Sequence, residues 1–240
     1  MNIILLPSGY DPEPHRARDV TLQGDQARHI LTIIKPAIGD HLRVGVLNGN
    51  MGLGKIISLH PDSVQLSITL TEPPPVPLPA TLLLALPRPK VLKRVLQSST
   101  SLGIKQIYLI NSYRVEKSYW QSPFLHPDVI RRQLILGLEQ GRDTLLPEVH
   151  LRPRFKPFVE DELPAIAEQK QCFTAHPADH NPPCPTAVHQ PSVLAIGPEG
   201  GFIPYEIDKL AAAGFSSIAL GQRILKVETA IPALIARMFL

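Results

Sequence analysis

No stretch of this 240-residue chain reaches the roughly 18 consecutive apolar residues that a membrane-spanning helix needs. Nor does "MNIILLPSGYDPEPHR" carry a basic segment ahead of its short apolar run, so no secretory leader is read there and a cytoplasmic location is expected. Cysteine is nearly missing. Cys172 and Cys184 are too few for a disulfide-stapled scaffold, and in a chain without export features they are expected as reduced thiols. A strong excess of charge is missing too: the formal net charge is +3, which alone points to no partner. What is present in quantity is apolar residues, at 44%, enough in a chain of this length for a proper core in one large domain or two small ones.

The distribution of charge says more than its sum. Residues 1–72 hold six Lys/Arg against seven Asp/Glu, whereas 86–132 hold nine (Arg88, Lys90, Lys93, Arg94, Lys105, Arg114, Lys117, Arg131, Arg132) against only Glu116 and Asp128. Either a solvated helix face or a polyanion footprint fits such a local excess.

Proline then divides the chain. "TEPPPVPLPA" (71–80) places five prolines in ten residues, too many for a helix or a central strand, and reads as a stiff linker. Residues 1–72 before it contain the short β-type runs "HLRVGVLN", "GKIISLH" and "SVQLSITL", with "GDQARHILTII" as one helix, and predict a small β-barrel. After the linker (73–80), residues 81–240 alternate strand and helix. "TLLLAL", "IKQIYLI", "CFTA", "VLAIG" and "SSIAL" read as strands; "KVLKRVLQSSTSLG", a segment around 127–140, "PYEIDKLAAAG" and the C-terminal segment read as helices. This pattern predicts an α/β domain with a largely parallel sheet, whose ligands collect at the carboxyl ends of strands.

Two tempting motifs fail on chemistry. "GNMGLGKI" (49–56) has the G-x-x-x-x-G-K half of a phosphate-binding loop. Ile56 stands where a magnesium-holding Ser or Thr belongs, and a β-like run follows instead of a helix, so the reading is a hairpin turn with a nearby lysine and not a nucleotide hydrolase. Cys172, His176, His180 and Cys184 stand four residues apart, but prolines at 177, 182 and 183 prevent one helix from presenting all four, and the spacing is not that of structural zinc modules; no metal is expected.

The third constellation, "VLAIGPEGGFIPYEIDKLAAAGFSSIALGQRILKVETA", is different. Two strand ends each deliver a glycine-rich turn followed by a helix, whose free N–H groups and dipole favour electron-rich atoms, and Glu199, Arg223, Glu228 and Thr229 stand beside the turns. In their order and spacing, "IGPEGGF", "LGQRIL" and "ETA" resemble the C-terminal signature of the SPOUT methyltransferases, specifically the 16S ribosomal RNA uridine N3-methyltransferase family. "VLQSSTSLGIKQIYLINSYR", "LEQGRDTLLPEV" and "ARHILTIIKPAIGD" agree, the last resembling that family's PUA-like barrel. The resemblance implies a trefoil-knotted domain binding S-adenosylmethionine through Leu194, Ile196, Gly197, Glu199, Gly200, Gly201, Leu220, Gly221, Ile224, Leu225 and Thr229. It implies an RNA-positioning N-terminal domain with Arg16, Arg18, Arg28, His29 and Lys35 as phosphate contacts, and a homodimer to which the apolar "IPALIARMFL" contributes. Methyl transfer to uracil N3 requires loss of the N3 proton, and Arg223, Glu228 and Glu199 are the residues to handle that charge. Two rival readings keep the fold: an RNA-binding protein that has lost its cofactor, and a methyltransferase with another RNA target. Pro232 adds a local question, since it deletes a helical hydrogen bond if the last helix starts near Glu228 and is tolerable if it starts nearer Ala230.

Overall fold

A computed structural model of the chain describes residues 2–10, 17–178 and 181–240. The chain divides into two compact units, one gathering Met1–Val76 with Leu138–Leu146 and the other Pro77–Gly137 with Pro147–Leu240. The first unit contains β1 (Ile4–Leu6), β2 (Arg18–Gln23), α1 (Gly24–His29) continued by a π turn (Ile30–Ile34), β3 (His41–Val46), β4 (Met51–His60) and β5 (Ser63–Glu72). Its strands form one sheet in the order β1-β3-β4-β5-β2, parallel between β1 and β3 and antiparallel elsewhere. In β5 the buried Val64, Leu66, Ile68 and Leu70 alternate with partly exposed Gln65, Ser67 and Thr69, so the period of two turns every apolar residue to one face. That face joins Val20, Leu22, Val44, Val46 and Ile56 in a core that Ala27 and Ile30 of the helical segment complete. The pairing is an open ladder among the described residues, with β1 and β2 as its edges, where the sequence pattern predicts a barrel. The open arrangement suits the helical segment, which closes the apolar face in place of further strand pairing.

The phosphate-loop look-alike lies in this sheet. β3 and β4 pair antiparallel around it, Asn48 adopts a left-handed conformation at φ 61°, and Lys55 stands exposed on β4. The stretch at 144–146 latches the turn: the Asn48 N–H donates to the Thr144 carbonyl at 2.8 Å, the Leu146 N–H to Asn48 Oδ1 at 2.9 Å, and the Thr144 hydroxyl to the Gly49 carbonyl at 2.6 Å. Nothing in local periodicity assigns that distant stretch to the N-terminal sheet.

The second unit runs through β6 (Ala80–Ala85), α2 (Pro89–Ser101), β7 (Gln106–Ile110), α3 (Pro127–Gly141, its end belonging to the first unit) and β8 (Glu148–Arg152). Short helices α4 (Phe155–Pro157) and α5 (Leu163–Ala167), β9 (Gln171–Ala175), β10 (Ser192–Ile196), α6 (Pro204–Ala212), β11 (Ser216–Ile218) and α7 (Val227–Phe239) follow. All six strands are parallel, in the order β11-β9-β10-β6-β7-β8. β6 and β10 occupy the middle and are buried at every position, which is why they read as apolar runs interrupted only by Thr81 and Ser192. β8 escapes the sequence pattern because it is a half-exposed edge strand, "EVHLR", with no apolar run. α2 lies close to α3: a Cβ at Gly137 would meet the Gln97 carbonyl and Thr100 Cβ at 2.6 Å, and Gln97 Nε2 donates to Gln133 Oε1 at 2.7 Å.

α7 answers the question of Pro232. The helix starts at Val227, so the proline lies in its interior and removes the N–H that would bond the Glu228 carbonyl. Its apolar residues Val227, Ile231, Leu234, Ile235 and Met238 are buried within this chain, and the helix packs against α2. Much of the apolar stretch read from sequence as a dimer contact is thus buried in the protomer's own core, while Ala236 and Leu240 stay exposed. Among the described residues no helix is long and apolar enough to cross a membrane.

Candidate active site

Four strands of the second unit end at one cavity of about 280 Å³. The turn after β10 contributes Gly197, Pro198, Glu199, Gly200, Gly201 and Phe202; the turn after β11 contributes Leu220, Gly221, Arg223, Ile224 and Leu225. His176 and Pro177 follow β9, and Arg114 follows β7. Ile196, Ile218, Val227 and Leu234 supply apolar wall. The cavity thus opens at the carboxyl ends of a parallel sheet, where ligands of such domains gather.

The glycines have separate reasons. A Cβ at Gly197 would lie 2.9 Å from the Phe202 nitrogen and 3.1 Å from the Gly201 carbonyl carbon, so the first turn is folded back on its own backbone. A Cβ at Gly200 would meet Arg114 Cδ at 2.9 Å, a contact that a flexible side chain can relieve. Gly221 has open space around it, but its φ of +153° is a conformation that side-chain-bearing residues rarely adopt. Steric exclusion by a neighbouring strand, one explanation for Gly200 and Gly221, is therefore absent from both.

The first turn is braced from three sides. Glu206, in the first turn of α6 and 2% exposed, accepts from the Ile203 N–H at 3.0 Å, the Ser112 hydroxyl at 3.1 Å and the Tyr113 N–H at 2.8 Å. The first of these bonds caps the helix; the other two fasten the segment after β7 to it. The Arg114 guanidinium donates to the Gly200 carbonyl, and Glu199 Oε1 accepts from the Arg88 N–H at 3.5 Å where α2 begins.

Of the site residues read from sequence, Ile196, Gly197, Glu199, Gly200, Gly201, Leu220, Gly221, Arg223, Ile224 and Leu225 line this cavity. Leu194 does not: it lies in the middle of β10 and is buried in the sheet. Glu228 and Thr229 stand on the first turn of α7, outside the lining. Among the described residues, Arg223 makes no ion pair with Glu228. In the first unit, Arg28 pairs with Asp25 at 3.2 Å, His29 ends α1, Lys35 follows the π turn, and Arg18 opens β2 with its guanidinium 5.8 Å from the Tyr10 ring; Arg16 lies outside the described residues. Sequence reading missed Arg114, His176, Pro177 and Glu206. The strand-end rule that found the two glycine turns, applied to β7 and β9, would have found the first three.

The cysteine–histidine run makes no cluster among the described residues, and His180 lies outside them. Cys172 and Cys184 are free thiols whose pKa values are raised by burial, against weaker opposite pulls from Lys170 and Arg237 respectively. Cys184 stands beneath the second turn, its N–H donating to the Ala219 carbonyl at 2.8 Å.

With this geometry in view, residues 74–239 match the RNA methyltransferase domain family. The chain belongs to this family. Among curated relatives it is similar to the ribosomal RNA small subunit methyltransferase E of Treponema pallidum, at 28% identity over 96% of this chain and 87% of that protein. It is 28% identical to the protein of the same name from Synechocystis sp., over 91% of this chain and 72% of that one. Among solved structures, a ribosomal RNA small subunit methyltransferase E from Neisseria gonorrhoeae, bound to S-adenosyl methionine, superposes with a TM-score of 0.75 at 20% identity, covering 98% of this chain and 95% of that one. A probable rRNA-methyltransferase from Porphyromonas gingivalis gives 0.71 at 21%, over 98% and 95%. These structural likenesses are likenesses of fold, and they extend over both units of this RNA methyltransferase-family chain.

Proposed function

We propose that the chain transfers the methyl group of S-adenosylmethionine to N3 of a uridine in 16S ribosomal RNA. The observation that carries this reading is the convergence of both glycine turns on one cavity, in a chain whose relatives are named for small-subunit ribosomal RNA methylation. The residues present suit the cofactor. Ile196, Ile218, Leu220 and Leu234 offer apolar wall for an adenine, and the two turns offer backbone groups for ribose and methionine atoms. Glu199 offers an acid opposite a cationic ligand. When bound, the cofactor supplies an electrophilic methyl on a sulfonium.

The chain's own task is to hold uracil with N3 facing that methyl and to manage its proton. Negative charge spreads over O2 and O4 as the proton leaves, and a fixed cation beside them lowers the barrier more than it tightens binding. Arg223 is the cation available for that role: it lines the cavity, is exposed and, among the described residues, makes no hydrogen bond or ion pair, so contacts with bound cofactor and RNA have to fix it there. Glu199 is the acid on the cavity wall, and Glu228, outside the lining, is left to orient rather than to accept a proton. The first unit serves as the RNA-positioning, PUA-like domain, with Arg18, Arg28, His29 and Lys35 toward phosphate. The second is a knotted SPOUT domain, working as a cytoplasmic homodimer.

The test is methylation in vitro of small ribosomal subunits and of naked 16S RNA from cells lacking this activity, followed by mass mapping of the product. A 3-methyluridine in 16S RNA is expected. Cofactor binding without transfer would move the chain to the RNA-binding reading, and a methyl group on another RNA would move it to another target.

A further inference from the structure

Tyr113 is the most exposed aromatic residue among those described, at 79%, and it sits on a stiff support. The Val115 N–H donates to the Ser112 carbonyl at 3.0 Å, closing a turn with Tyr113 and Arg114 at its corner. Both legs are sunk, since Ser112 is 2% and Val115 7% exposed. Glu206 grips the Ser112 hydroxyl and the Tyr113 N–H, while Arg114 reaches the Gly200 carbonyl and lines the cavity. The backbone beneath Tyr113 is therefore fixed to the first glycine turn, yet its ring faces water. A large ring held there contributes nothing to the core.

We infer that Tyr113 is the stacking platform for the target base, an assignment that rests on the proposed uridine methylation. The chemistry of N3 asks for such a residue. N3 lies on the Watson–Crick edge, which pairing and stacking occupy in folded RNA, so the base must leave its neighbours before it can react. A hydrogen bond at N3 itself would compete with the incoming methyl, so the base has to be held by other means than its reacting atom. An aromatic face holds uracil by its plane, leaves N3, O2 and O4 free to point into the cavity, and replaces the stacking lost on extrusion. Position and charge agree. Arg114, at the adjacent corner of the turn, is cavity wall, and the segment 86–132 that carries the turn holds the chain's largest local excess of Lys and Arg, suited to the phosphates flanking an extruded nucleotide.

The experiment compares wild type with Tyr113→Ala, Tyr113→Phe and Tyr113→Trp, using labelled methyl transfer to small subunits from cells lacking the activity and calorimetric titration with S-adenosylmethionine alone. The expected result for Tyr113→Ala is a loss of roughly ten- to hundredfold in kcat/KM for RNA, the range for removing one base–aromatic stack, with cofactor Kd unchanged. Phe and Trp should restore most of the rate. Full activity in Tyr113→Ala overturns the assignment, as does a loss that Phe fails to rescue, which would make the hydroxyl the working group. A changed cofactor Kd also overturns it, because the residue then acts through the cavity wall. A wild-type protein that binds cofactor but methylates no uridine overturns the proposed function, and this assignment with it.

Discussion

The two glycine turns line one cavity but are built in opposite ways. The turn after β10 is held by Glu206, by Arg114 and by its own close backbone approach at Gly197. The turn after β11 is bare: residues 221–226 are all exposed, Ile224 to 81%, and among the described residues none of Gly221–Leu225 makes a hydrogen bond. Protein contacts alone fix the first turn, whereas the second has no such bracing among the described residues. Damage to the first should therefore appear in the stability of the free protein, and damage to the second in binding and rate.

The sharpest way to break that contrast is Glu206→Ala. It strips three donors of a buried carboxylate, and losses of this kind cost about 3 kcal/mol or more. We expect a lower denaturation midpoint in the protein without ligand, measured by urea titration, with cofactor affinity falling as well. Arg223→Ala is the counterpart in the second turn. Its denaturation midpoint should be unchanged, while the single-turnover rate at saturating cofactor and RNA falls on the order of a hundredfold, as when other charge-stabilising donors are removed. A rate restored by saturation would show that Arg223 serves binding only.

Gly221→Ala should act more mildly. Its Cβ meets nothing, so the cost is the backbone conformation alone, on the order of 1 kcal/mol. It should weaken cofactor binding several-fold by calorimetry and lower the midpoint by no more than that cost, well short of the fall expected for Glu206→Ala.

The smallest effect concerns Cys184 under the second turn. Burial raises its thiol pKa, so the folded state holds the thiol proton more tightly than the unfolded chain does. The resulting stability is fully present below the unfolded thiol pKa and is lost as pH rises through the folded one. The midpoint should fall slightly faster above about pH 9 in wild type than in Cys184→Ala. At neutral pH, alkylation of Cys184 should be slow and should slow further with cofactor bound, if ligand contacts tighten the turn above it.

Sequence patterns reached the second unit's architecture further than the first's. β6 and β10 are wholly buried and announce themselves as mostly apolar runs; Gly197 marks the turn after β10 through its close backbone approach, and Gly221 the turn after β11 through its positive φ. β8 is a half-exposed edge with no such signal. Arg114 and His176 stayed hidden because a single polar residue at a strand end looks like any surface residue until the sheet order brings four ends together. Leu194 shows the opposite error: its neighbour Ile196 lines the cavity, but two positions earlier along β10 the chain is still inside the sheet.

The membership of Leu138–Leu146 in the first unit has a consequence for synthesis. A chain emerging from the ribosome delivers all five strands of that sheet by Glu72, yet the latch on the β3–β4 turn arrives only with Thr144 and Leu146. The turn stays unlatched while Pro77–Gly137 is made, and at elongation rates of roughly 5–20 residues per second that interval lasts seconds. A shortened gene product starting at Val76 would in turn carry the latch without the turn it fastens. Residues 138–146, and not the proline-rich stretch, are thus the last part of the first unit to be made, although its apolar core is already complete by Leu70.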